Sequence, residues 1–89
     1  MRREKLYRIF LTKTARKDYV SIKNKKLLKR INTILEDLKA NPLMGNPLHG
    51  EFRGCRSIKT FSFRLIYLTN RKDIIITVLR IQHRKESYR

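Results

Sequence analysis

The spacing of apolar residues changes along this chain, and each change marks an element. From Leu6 to Leu11 the pattern alternates, with Tyr7, Ile9 and Leu11 on one face and Leu6, Arg8 and Phe10 on the other, which predicts a first strand. Thr12 or Thr14 is placed to cap a short helix running through Ala15, Tyr19 and Val20 to about Ile22. Asn24 breaks it and can cap the next. From Lys25 to Ala40 the residues Leu27, Leu28, Ile31, Ile34, Leu35 and Leu38 recur at three- and four-residue steps, an amphipathic helix of about four turns. Asn41-Pro42 ends that helix, because the proline ring cannot continue the hydrogen-bond ladder and pushes its predecessor away from helical angles. Residues 41–54 hold both prolines and all three glycines, so they form a long loop, a feature more often functional than not in a small domain.

After the loop, Cys55–Phe61 reads as a strand, with Cys55, Ser57, Lys59 and Phe61 on one face and Arg56, Ile58 and Thr60 on the other. Phe63–Leu68 gives the next strand, and Asn70-Arg71-Lys72-Asp73 supplies a hairpin turn. Ile74–Ile81 is the most β-prone run and is apolar at both parities, which places it centrally in the sheet. The order is β-α-α-β-β-β. It predicts an α+β two-layer sandwich in one domain, residues 1–89, with two helices on one face of a mainly antiparallel, four-stranded sheet. The other sheet face is left to bind something.

Charge narrows what that face meets. Lys and Arg number 23 against 7 Asp and Glu, a net charge of +16 on 89 residues, while 40% hydrophobic residues argue for a folded body. Such a surface seeks nucleic acid, an acidic protein or an anionic membrane surface. No window reaches the roughly 18 apolar residues of a membrane span, and the basic arm Met1–Lys5 lacks the apolar run of a signal peptide, so a cytoplasmic protein is expected. One cysteine, Cys55, rules out a disulfide within the chain, and two histidines give no zinc spacing; no metal or cofactor is expected. Cys55 reads as a small packed hydrophobe, with a reactive thiol as the other reading.

Arg64 interrupts an apolar strand, and Lys59 does the same one strand earlier. Unrelated solvated charges would explain both. If one sheet face is open, however, Lys59, Arg64 and Arg80 or Arg84 converge there as a positive patch, with Arg56 as a further substrate-binding candidate. His83 follows the last apolar strand residue among arginines and a lysine, which disfavour its imidazolium. A neutral ring can take a proton from a ribose 2′-hydroxyl while arginines stabilise the charge on a five-coordinate phosphorus. Tyr88 suits stacking on a base or orienting a phosphate, or else closes the edge of the core.

In these residues the chain resembles the RelE/ParE superfamily of bacterial and archaeal toxins, in its RelE-like branch. The resemblance covers nearly the whole chain. It rests on the element order, on Pro47-Leu48-His49-Gly50 followed by Gly54, on Phe63-Arg64-Leu65-Ile66-Tyr67, and on His83-Arg84 followed by Tyr88. It implies a toxin that enters the ribosomal A site and cuts mRNA without metal, by 2′-hydroxyl attack that leaves a 2′,3′-cyclic phosphate. By position Arg64 matches the strand arginine that stabilises the transition state, Arg84 the arginine that holds or activates the scissile phosphate, and Tyr88 the C-terminal tyrosine. Lys59 matches the second of two basic residues in the strand after the loop, whereas the first is Ser57 here, which departs from the family pattern. His83 occupies a position that is lysine or histidine in relatives and is a candidate base; Glu51, the only acid in the loop, is the alternative base. The resemblance also implies an acidic RelB-type antitoxin. Two other functions fit the same fold: a ParE-like poison of DNA gyrase, against which the set His83, Arg84 and Tyr88 argues, and a non-catalytic RNA-binding module that grips backbone phosphates.

Overall fold

A computed structural model describes residues 6–60 and 63–83, the side chain of His83 excepted. The elements are β1 (Arg8–Leu11), α1 (Lys13–Val20), α2 (Lys25–Ala40), β2 (Asn46–Pro47), a one-turn 3-10 helix (Gly50–Phe52), β3 (Arg56–Lys59), β4 (Phe63–Asn70) and β5 (Ile75–His83). They form two helices on a mixed sheet ordered β1-β5-β4-β3-β2, in which β1 runs parallel to β5 and every other pair is antiparallel. The α+β architecture and the order of its main elements follow the sequence pattern. The strand count differs, because Asn46 and Pro47 pair with Ser57 and Arg56 and add a fifth, two-residue strand at the edge. Proline is tolerated there since an edge position asks for no second ladder hydrogen bond. Met1–Lys5 and Phe61 lie outside the described residues.

Local chemistry sets the helix starts. Thr12 Oγ1 accepts from the Ala15 N–H at 3.0 Å and donates to the Leu79 carbonyl at 3.1 Å, so one hydroxyl both caps α1 and ties it to β5. Asn24 Oδ1 caps α2 by accepting from the Leu27 N–H at 3.0 Å. The inner faces then close on each other: Ala15, Ile31 and Leu38 of the helices meet Phe63, Leu65, Tyr67, Ile76, Val78 and Ile81 of the sheet, each at most 1% exposed. Burying each large side chain here contributes on the order of 2 kcal/mol.

The inward set on β5 changes parity, from Ile76 and Val78 to Ile81. A β-bulge causes this. Tyr67 pairs with Val78 and the next residue of β4 toward its start, Ile66, pairs with Arg80, so Leu79 is the extra residue. Beyond the bulge, even-numbered residues of β5 take the face turned away from the core.

A buried phenol anchors the start of the loop after α2. Tyr67 Oη donates to the Pro42 carbonyl at 2.8 Å and accepts from the Gly45 N–H at 2.9 Å; burial pushes its pKa up and keeps the donor in place. Gly45 is required by closeness: a Cβ there would lie 2.8 Å from Tyr67 Oη and 2.9 Å from the Ser57 carbonyl oxygen. Tyr67→Phe leaves a buried N–H without its acceptor and is expected to cost about 1–3 kcal/mol. Gly45→Ala is expected to cost at least as much. Urea unfolding measures both, as a lower midpoint at unchanged slope.

Candidate functional site

The sheet face turned away from the helices is built by the same alternation that builds the core. Phe63 and Leu65 of β4 point into the helices, which turns Arg64 the other way. Register then sets its neighbours: Lys59 of β3 lies directly opposite on one side and Gln82 of β5 on the other. Cross-strand partners sit about 5 Å apart, so the three form one row across the sheet. The adjacent row is Ser57, Ile66 and Arg80, of which Ser57 and Ile66 are buried. Neither row contains an acidic residue.

Arg64 is half-buried, and its Nε is buried without a hydrogen-bond partner among the described residues. A guanidinium donor in that state forfeits about 1–3 kcal/mol until an acceptor arrives. A phosphate oxygen is the acceptor whose charge and geometry fit best. Lys59, exposed beside it, adds a second cation, and Gln82 offers an amide donor on the far side.

Arg80 and Arg56 are placed differently. Arg80 Nε and Nη2 donate to the two carboxylate oxygens of Asp18 at 2.9 and 3.2 Å, and the Ile81 N–H donates to Asp18 Oδ2 at 2.9 Å. The reason is topological: β1 ends opposite Val78, so β5 has no strand partner on that side beyond this point, and the carboxylate takes its place. Arg56 Nη1 donates to the Gly45 carbonyl at 2.8 Å, on the side of Tyr67, its partner in β4. The structure therefore brings Lys59 and Arg64 together, while Arg56 and Arg80 are held by a loop carbonyl and a carboxylate.

His83 is the last residue of β5, and its backbone pairs with Phe63. Its side chain, Arg84 and Tyr88 lie outside the described residues. Glu51 is exposed on the 3-10 helix before β3, at the end of that strand away from Lys59. Cys55 is buried, and burial pushes its thiol pKa up, which favours the packed reading over a reactive thiolate. Among the described residues no helix is long and apolar enough to cross a membrane. Sequence reasoning missed Gln82 and Asp18. Only the strand register reveals Gln82, and in the sequence Asp18 is one acid on a basic helix with no sign of its distant partner.

For Asp18, burial works to raise the pKa, but the hydrogen bonds from Arg80 and the Ile81 N–H, with the Arg80 charge, together hold it below the ordinary carboxylate value. A depressed folded-state pKa means stability that is present above the unfolded value and lost as pH falls through the folded one. Asp18→Asn is expected to lower stability by about 1–2 kcal/mol at pH 7, discounted for the partly exposed Arg80. That gap narrows from about pH 4 downward, read from urea melts of both proteins across pH.

Comparison with known proteins gives this geometry a context. The family model described as the ParE toxin of type II toxin–antitoxin systems, parDE, matches residues 9–88. Toxin RelG of Mycobacterium tuberculosis is 31% identical over 84 residues, covering 93% of this chain and 97% of RelG. The toxin–antitoxin complex RelBE2 of the same organism contains a chain that superposes with a TM-score of 0.78 at 30% identity, over 89% of this chain and 99% of that one. The isolated RelE toxin of E. coli shares the fold, with a TM-score of 0.77 at 19% identity over 92% of this chain and 88% of RelE. The chain belongs to the ParE toxin family and is a type II toxin–antitoxin toxin of the RelE/ParE superfamily.

Proposed function

We propose that this toxin is a ribosome-dependent mRNA endoribonuclease that works in the cytoplasm without metal or cofactor and arrests translation. The observation that carries the reading is the buried Nε of Arg64, without a partner among the described residues and in register with Lys59 on rows that hold no acid. That arrangement suits a phosphodiester whose negative charge grows at the transition state. The 2′-hydroxyl attacks the phosphorus, the bond to the 5′-oxygen breaks, and a 2′,3′-cyclic phosphate remains. Arg64 and Arg84 stabilise the phosphoryl oxygens, His83 takes the 2′-hydroxyl proton with Glu51 as the alternative base, and Tyr88 stacks on a base or assists proton transfer. Lys59 holds the substrate backbone; Arg80 and Arg56 join it only by giving up their present partners. Inhibition falls to an acidic antitoxin of RelB type, a reading supported by the M. tuberculosis toxin–antitoxin complex and by the +16 charge.

A gyrase-poisoning function is the second reading, favoured by the ParE description of the family that matches. Tightly controlled expression with mapping of mRNA 5′ ends separates the two. Wild type is expected to give codon-phased cuts, Arg84→Ala to abolish them, and Arg64→Ala to reduce them by about 10²–10³-fold, the typical loss on removing one transition-state donor. DNA breaks or a DNA-damage response with intact mRNA would sink the nuclease in favour of gyrase. Binding without cleavage would leave an RNA-binding module. If His83→Gln cuts like wild type, the base is not His83 and Glu51→Gln is the next variant.

A further inference from the structure

We infer that the first half of α2 is a second nucleic-acid contact, a cationic face that takes an RNA backbone at a place distinct from the Arg64 row. Lys25, Lys26, Lys29 and Arg30 are all exposed, and none makes an ion pair among the described residues. The position of Lys25 and Lys26 works against the helix itself, because α2 has no acid in its first turn and cations there oppose the positive end of the macrodipole. The acids of α2, Glu36 and Asp37, sit in its second half, where Glu36 pairs with Lys39 at 3.0 Å. A merely solvated face would gain from the reverse arrangement.

The cations also share a shape. Lys26, Lys29, Arg30, Thr33 and Ile34 line a shallow hollow with Thr60, and a second hollow alongside shares Lys26 and Arg30. Thr60 directly follows Lys59, so the hollow on the helix layer lies next in the chain to the β3 end of the Arg64 row. The occupant is a phosphate backbone rather than a protein segment. Lysine is depleted at protein–protein interfaces, and the exposed large hydrophobics that would anchor a protein, among them Leu6, Phe10, Val20, Leu43 and Leu68, all lie elsewhere. Four exposed cations on one helix face, with none of these large hydrophobics among them, suit sequence-independent phosphate contacts.

The test uses the whole chain and a 2′-O-methyl RNA strand, which cannot be cut, so it stands whether or not the protein proves to be a nuclease. Affinity is measured against salt for wild type, for Lys26→Gln/Lys29→Gln/Arg30→Gln, and for a control that removes the same charge elsewhere, Arg16→Gln/Arg71→Gln/Lys72→Gln. Loss of three phosphate contacts reduces the slope of log K against log salt by about 2 in the α2 triple, at about 0.7 per contact. The control is expected to stay near the wild-type slope. Should the triple fail to fold, the three single variants carry the test, each with a drop of about 0.7. An unchanged slope in the α2 variants, including the case in which they lose an acidic protein partner instead, overturns the inference. So does an equal drop in the control, which would mean that only total charge matters.

Discussion

The bulge at Leu79 is the constraint on which the geometry of this protein turns. Before it, β5 feeds Ile76 and Val78 to the core; after it, Ile81 goes inward and Gln82 outward. Without the extra residue, the end of β5 would bury its polar positions and leave its apolar ones in solvent. Asp18 secures the region just past the bulge, where β1 has ended and the strand edge would otherwise stand open. One carboxylate accepts from a backbone N–H and from Nε and Nη2 of an arginine, joining α1 to the segment that leads into His83. The helix layer thus fixes the edge of the sheet as well as the core.

Within that frame the arginines divide by what surrounds them. Arg80 and Arg56 have internal acceptors and contribute to architecture. Arg64 has none at Nε among the described residues, and it stands between the buried core residues Phe63 and Leu65 with that nitrogen shielded from solvent. Holding a donor unsatisfied opposes folding, and so does crowding lysines at the start of α2. Both features fit the proposed function, in which binding a polyanion counts for more than the last increment of stability.

Much of this is legible in the sequence. The three- and four-residue steps from Leu27 to Leu38 define α2 with the bounds observed, and Asn24 and Pro42 mark its ends, because caps and ring sterics are local chemistry. The apolar run Ile74–Ile81 correctly implies a central strand, but its double parity arises partly from the bulge, which hydrophobicity alone does not reveal. Arg64 and Lys59 stand out as charges in β-runs, and register makes them neighbours. What the sequence does not reveal is the choice between equivalent partners. Nothing local distinguishes Arg80, which finds Asp18 across 62 positions, from Arg64, whose Nε finds no acceptor among the described residues. The two-residue strand Asn46–Pro47 is hidden for the same reason, since only pairing with β3 makes it a strand.

The Nε of Arg64, without a partner among the described residues, is the point on which the proposed function rests, and it can be observed directly. In a ¹⁵N-labelled sample the Nε–Hε signal of Arg64 is followed while the uncleavable RNA strand is added, with Arg80 as internal reference. A shift of the Arg64 signal with slowed exchange of its proton, while Arg80 stays on Asp18, is the expected result. Binding that leaves the Arg64 signal unchanged would contradict the assignment of this row as the phosphate site.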